Sequence, residues 1–241
     1  MRIQVLASSS AGNAVALHSG GSALLLEAGI RFEDLQRGLK HRVSQLDGCL
    51  VSHEHGDHAR SVAKVLRAGV EVWASFGTWQ ALGLERHHRS KTFVAGEPCP
   101  VQIGEWNVLP FDVRHDAAEP LGFLIARGTE RILYLTDSSY SPYRFQGLTH
   151  ILIEANYSMR ILRANVENGS VPRAHMLRVM ASHMSIERAV DLLKANDLSR
   201  VEEIHLLHLS DTSSSEDEFR QLVTRATGKP TYIADRKETA A

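Results

Sequence analysis

The chain of 241 residues predicts an α+β fold in which two β-sheets pack face to face with helices on their outer faces. Two observations carry that expectation. Short β-type runs give way to helix-type runs twice along the chain, the order expected of stacked sheets covered by helices. Ligand-type side chains also recur at the ends of the β-type runs, as if strand ends converged on one edge.

The first half opens with three β-type runs, "RIQVLA", "AVALHS" and "SALLLEAG", followed by the amphipathic helix "FEDLQRGLK" and the apolar strand "GCLV". Strand "VEVWA" and helix "GTWQALGL" come next. "WNVLPFDVRH", "LGFLIARG" and "RILYLTDSS" are further β-type runs, each closed by Gly, Asp or Ser. The second half starts with strand "HILIEAN" and turns helical in "YSMRILRANV", "VPRAHMLRVMA" and "SIERAVDLLKAN", the last with Ser185 placed as N-cap. Strand "EEIHLLHLS" precedes a final helix, "EDEFRQLVTRAT", in which Ser215 and Glu218 predict a capping box and Gly228 the stop. No repeat, low-complexity tract or linker divides the chain, so one domain over residues 1–241 is expected.

Composition excludes several classes. With 43% hydrophobic residues the chain can bury a core, and 27 basic against 28 acidic residues leave no global charge to attract nucleic acid. Two cysteines without CxxC spacing fit a reducing compartment, with cytoplasm as the default. Nothing approaches the roughly 20 apolar residues of a membrane span, and Gln4 with Ser8 to Ser10 interrupts the N-terminal run too early for a signal-peptide core. Thirteen histidines are the unusual feature.

Four ligand-type residues, His53, His55, Asp57 and His58, crowd the stretch "VSHEHGDHAR" just after an apolar strand. Strand alternation points His53 and His55 the same way, whereas Asp57 and His58 come from the turn that starts the next helix. Two groups aimed in two directions suit two neighbouring metal ions better than one tetrahedron. The plain alternative is a solvated polar loop.

The HxHxDH pattern is the signature that this chain shares with the metallo-β-lactamase fold, which it resembles over most of its length. The resemblance implies an αββα sandwich of two mixed β-sheets with outer helices. It also implies later ligands, which His115 in "VRHDA", Asp137 in "YLTDSS" and His208 in "LLHLS" supply. The implied centre holds two divalent ions, zinc or manganese with iron also possible. His53, His55 and His115 would bind one, and Asp57, His58 and His208 the other, with Asp137 bridging and a hydroxide between the ions. Asp57 would also orient that hydroxide. Taken singly, His115 and His208 read more readily as structural histidines than as ligands, and only the joint pattern makes them ligands. His18, His41, His87, His88, His150, His175 and His205 receive no functional role.

The fold hosts many chemistries, so the reaction has to be read from the site. Neither Cys49 nor Cys99 is placed to serve as a second-site ligand, and Asp137 groups the chain with glyoxalase-like and nuclease branches. His183, before the helix capped by Ser185, matches a histidine that contacts the scissile phosphate or protonates the leaving oxygen in phosphodiesterases of this superfamily. "SSSAGNA", "HDAAEPLGF", "LTDSSY", "EANY" and "SHMS", in that order, further resemble the YycJ family, also called VicX or WalJ. That resemblance implies DNA exonuclease activity, 5′ to 3′, with a role in DNA repair. Two departures are visible: Glu27 stands where Asp is usual, and "HLSDTSSSEDE" replaces an Asn-rich turn. Only 70 residues separate Asp137 from His208, so the large lid of the β-CASP nucleases is not expected.

Residues 138–180 carry five arginines, Arg144, Arg160, Arg163, Arg173 and Arg178, against Glu154 and Glu167, a local +3 that would track a phosphate backbone or form a solvated helix face. Ser9, Asn13, Asn156 and Arg160 are candidate substrate contacts, and Tyr140, Tyr143 and Tyr157 candidate base-stacking residues. The expected partner is DNA, with a small phosphodiester as the alternative and no membrane. Two other readings stay open at this point: a small-molecule hydrolase of phosphodiesters or thioesters, and a regulatory protein that holds metal without catalysis.

Overall fold

The computed structural model describes residues 1–93 and 99–234. The strands form two mixed sheets, of six and seven strands, and the chain divides into two compact units. One comprises Met1–Asp112 and Ala117–Gly128, the other Val113–Asp116 and Thr129–Ala234.

The first unit begins with β1 (Arg2–Ser9) and β2 (Gly12–Ser19), an antiparallel hairpin with Ser8 opposite Asn13 and Ser9 opposite Gly12. The polar "SSSAGN" stretch is therefore mostly strand, with only Ser10 and Ala11 left for the turn. β3 (Ser22–Leu26) pairs antiparallel with β2, and helix α1 (Phe32–Gly38) follows. β4 (Gly48–Leu50) lies parallel to β3, setting Leu26 beside Leu50. The short helices α2 (Gly56–Ala59) and α3 (Val62–Arg67) lead to β5 (Val72–Ala74), α4 (Phe76–Leu82) and β6 (Ser90–Thr92). An antiparallel ladder of β7 (Val101–Ile103), β8 (Trp106–Asp112) and β9 (Leu121–Arg127) completes the unit. Its core gathers Leu25, Leu35, Val62, Val65, Val72 and Trp79, each without exposed surface. Val62, Val65 and Leu66 share one face of α3 at i, i+3, i+4 spacing.

In the second unit β10 (Glu130–Leu135), β11 (His150–Glu154), β12 (Glu203–Leu207) and β13 (Thr231–Ile233) run parallel in that order. "RILYL", "HILIE" and "EIHLL" read as near-continuous apolar runs because parallel strands are covered on both faces. Helices α5 (Met159–Glu167), α6 (Arg173–Ser182), α7 (Ile186–Lys194) and α8 (Glu216–Thr227) belong to this unit. The Ser185 hydroxyl accepts from the Arg188 amide at 3.3 Å, the expected cap. Ser185→Ala should cost about 1 kcal/mol, read as a shift in the urea midpoint. The capping box of α8 does not form: Ser215 caps with backbone alone, and Glu218 bonds the Arg160 guanidinium instead, at 2.7 Å. Gly228 ends α8 in the left-handed conformation, φ 69°, as expected. Among the described residues no helix is long and apolar enough to cross a membrane.

Candidate metal centre

β4 ends at Leu50, so His53 and His55 stand in the irregular segment before α2 rather than alternating along a strand. His53 is fully buried; Ser52 Oγ lies 2.9 Å from its Nδ1, and its Nε2 lies 3.1 Å from His55 Nδ1. Two nitrogens each about 2.0–2.1 Å from a tetrahedral zinc stand roughly 3.3 Å apart, so this spacing fits a shared cation. On α2, His58 Nε2 is 3.4 Å from Asp57 Oδ2.

Buried Asn13 holds this motif from β2. Its Nδ2 donates to the Asp57 carbonyl at 3.2 Å and lies 3.1 Å from His58 Nε2. Glu27, just past β3, has no exposed surface and a positive φ of 64°. It accepts from the Ser52 amide at 3.2 Å, and its Oε1 lies 3.6 Å from His58 Nδ1. The longer side chain of Glu27 thus reaches the loop that carries the histidines. Burial, with the Glu27 charge nearby, pushes the Cys49 thiol well above its ordinary value and leaves it an inert core residue.

The second unit supplies the other predicted ligands, Asp137 and His208 from the ends of its parallel strands and His115 from the segment after β8. Asp137 follows β10 at φ 42° and His208 follows β12 at φ 54°, both left-handed conformations that non-glycine residues rarely adopt. The Asn156 amide donates to the His208 carbonyl at 2.8 Å and helps to hold that turn. His208 Nδ1 lies 3.1 Å from Asp137 Oδ1 and 3.3 Å from Glu154 Oε1. His115 Nδ1 meets the Ser182 carbonyl at 2.9 Å, which places its proton there and leaves Nε2 facing Asp137 Oδ2 at 3.5 Å. A ligating imidazole is oriented in this way, by a carbonyl on its other nitrogen.

His183 ends α6 in an extended conformation, two residues before the cap of α7. Its Nδ1 donates to Glu154 Oε1 at 2.6 Å. Burial alone would lower the His183 pKa, but the Glu154 charge and hydrogen bond raise it above the ordinary 6.5. Burial likewise raises Glu154, yet the His183 charge and the bonds from His183 and His208 hold its carboxyl below the usual range. Donor atoms of Asp137, Glu154, His183 and His208 all lie within 4.8 Å of one another.

Glu154 is the residue that the sequence reading leaves out. It ends β11 with no exposed surface, and besides the two histidines it accepts from the amides of Ser138 and Met184, each at 3.0 Å. The available signal was a carboxylate closing the otherwise apolar run "HILIE".

The remaining candidates are more scattered. Ser9 accepts from the Ala11 amide at its own hairpin turn, 3.2 Å. Arg160 on α5 is tied to Glu218, and Tyr157 is buried in an apolar cluster with Leu162 and Val179. Tyr140 and Tyr143 are exposed. His205 stacks on Tyr232 at 5.3 Å, away from the ligand set.

Imidazoles and carboxylates in this mixture suit divalent ions of the zinc, manganese and iron type. The donors and their oriented rings are those of a divalent-metal centre.

Comparison with known proteins agrees with this geometry. A family model described as "Beta-lactamase superfamily domain" matches residues 24–209. The exodeoxyribonuclease WalJ of Streptococcus pneumoniae serotype 2 is 29% identical over 225 residues, covering 87% of this chain and 81% of the relative. The exodeoxyribonuclease YycJ of Bacillus anthracis is 26% identical over 235 residues, covering 93% and 88%. Among solved structures, the metallo-β-lactamase fold protein YhfI from Bacillus subtilis superposes with a TM-score of 0.74 at 17% identity, covering 97% of this chain and 96% of that one. Zinc-bound PqqB from Methylobacterium extorquens gives 0.69 at 14% identity, covering 97% of each chain. The two mixed sheets, the strand-end donors and the matched family together place the chain in the β-lactamase superfamily, with the metal-dependent hydrolase fold that its sequence predicts.

Proposed function

We propose that the chain is a two-metal phosphodiesterase that shortens DNA from an end, 5′ to 3′, in DNA repair. It works in the cytoplasm as one catalytic domain without a lid insertion. In this reading His53, His55 and His115 would hold one ion, and Asp57, His58 and His208 the other, with Asp137 a donor to both. When bound, zinc, manganese or iron supplies Lewis-acid chemistry that makes water nucleophilic at neutral pH.

The observation that carries the reading is the His183–Glu154 pair. A metal-ligand set needs no protonated histidine beside it, whereas a leaving alkoxide does. With Nδ1 donating to Glu154 at 2.6 Å, the ring is fixed in orientation and Nε2 remains to deliver a proton to the departing oxygen. Glu154 balances the charge of the imidazolium. Asp57 would orient the attacking water besides serving as a donor of the metal site. The two curated relatives, both named exodeoxyribonucleases, support DNA as the substrate.

The test is digestion of an end-labelled linear duplex by purified protein titrated with Mn²⁺ and Zn²⁺, beside His183→Ala at matched metal content. Stepwise shortening from the 5′ end is expected, abolished by chelator and reduced about 10²- to 10⁴-fold in the variant. Metal-replete protein that leaves DNA intact while hydrolysing a small phosphodiester or thioester would overturn the reading.

A further inference from the structure

A cavity of about 570 Å³ lies in the second unit, within the roughly 300–1,000 Å³ range of small-ligand sites. Its wall interleaves with the candidate catalytic residues along the chain: Arg114 precedes His115, Ser139 lies two past Asp137, and Met184 follows His183. Three arginines line it, Arg114, Arg144 and Arg188, against one acid, Asp191. Among the described residues none of the three makes an ion pair. A cavity with three guanidinium groups and one carboxylate attracts an anion.

The other walls say which kind of anion. Tyr140 is 47% exposed, large for an aromatic ring, and the Arg114 guanidinium sits 5.6 Å from its centroid. Met180 and Met184 add an apolar, deformable wall. Arg188 donates to the Ser139 carbonyl at 2.8 Å, and the Ser138 hydroxyl, itself bonded to the Tyr140 carbonyl, accepts from the Arg114 amide. The loop that carries Tyr140 is therefore braced from two sides, by Arg188 of α7 and by the backbone at Arg114. Inorganic phosphate would use the arginines and leave the ring and the methionines unused. A planar base linked to a phosphate uses all of them, since bases stack on aromatic faces regardless of sequence.

We propose that this cavity is a nucleotide subsite, in which the arginines hold a phosphate and Tyr140 stacks the attached base. The proposal rests on the nuclease reading for its biological ligand, a nucleotide of the substrate strand, but free nucleoside monophosphate has the same chemistry. Arg144, alone of the five arginines in residues 138–180, lines the cavity.

The test titrates thymidine 5′-monophosphate, and separately inorganic phosphate, into zinc-loaded full-length protein by calorimetry, for the wild type, Arg144→Ala and Tyr140→Ala. Both side chains are exposed, so neither change opens the core. Each variant should weaken thymidine monophosphate binding by roughly tenfold, while only Arg144→Ala weakens phosphate. On labelled duplex each should raise KM by a similar factor with kcat unchanged. Monophosphate binding unaffected by both substitutions overturns the subsite, as does monophosphate binding no tighter than phosphate. Arginine- and tyrosine-dependent monophosphate binding without DNA digestion supports the subsite while the nuclease reading fails. Digestion with an unchanged KM in both variants retains the nuclease and removes the subsite.

Discussion

Gly29→Ala is expected to unfold the HxHxDH loop and strip metal from the protein without touching a ligand. A Cβ at position 29 would stand 1.6 Å from the Asp57 carbonyl oxygen, 2.2 Å from its carbon and 2.8 Å from the His58 nitrogen. These are backbone atoms, so no rotamer change relieves the clash. The Gly29 amide donates to the Asn13 carbonyl, and the Ala28 amide to that of His58, which leaves neither side free to withdraw. Overpacking of this kind costs about 1–3 kcal/mol and displaces the loop that carries four predicted ligands, at Asp57 and His58 first. Gly56→Ala is the matched control, because a Cβ there meets nothing within 4 Å. Metal content by mass spectrometry and the urea midpoint should both fall for Gly29→Ala and stay unchanged for Gly56→Ala. Wild-type metal stoichiometry in Gly29→Ala would show that the loop can yield, contrary to the packing described.

The second large effect is expected at Glu154. Replacing it by Ala leaves two buried amides and two imidazoles without their common acceptor, which costs about 3–5 kcal/mol. Glu154→Gln keeps an acceptor but removes the charge, so it should fold and lose activity. The pH dependence follows from the signs of the shifts. The folded-state pKa of Glu154 is lowered, so its contribution is complete above the ordinary carboxylate value and lost as pH falls through the lowered one. The folded-state pKa of His183 is raised, so its contribution is complete below 6.5 and lost as pH rises through the raised value. In metal-free protein the Gln variant should therefore lose stability chiefly between those limits and show flatter acid and alkaline limbs. Urea midpoints measured across pH decide the matter: parallel profiles for the wild type and Glu154→Gln would rule out the pair as described.

How much of this was legible in the sequence depended on how local each feature is. His53, His55, Asp57 and His58 fall within six residues, so their density alone announced a ligand loop. His115, Asp137 and His208 needed the family resemblance, because a lone histidine at a strand boundary looks no different from His150, which starts β11 and which the structure leaves bonded to Thr149. Glu154, Asn13 and Gly29 act through partners 16 to 54 residues away, and no window along the chain contains both sides of such contacts. The longer strands and helices were readable from periodicity. The three-residue strands β6, β7 and β13 were not, since one alternation cannot be told from chance, and α3 at six residues was too short to read, whereas the helical turn at Asp57 and His58 was expected. The capping box at Ser215 was a correct local pattern overridden by a distant arginine.

Three residues named above, Glu27, Asp137 and His208, share a left-handed backbone that glycine would adopt at lower cost, about 1 kcal/mol or more for each. Stability and chemistry therefore pull in opposite directions at these strand ends. At Asp137 and His208, ligands in the proposed reading, a library of this chain selected for thermal tolerance alone would drift toward glycine and discard the carboxylate and the imidazole, whereas Glu27 also holds the Ser52 amide. Only selection that also demands turnover would keep them, so heat resistance is a misleading guide for engineering this scaffold.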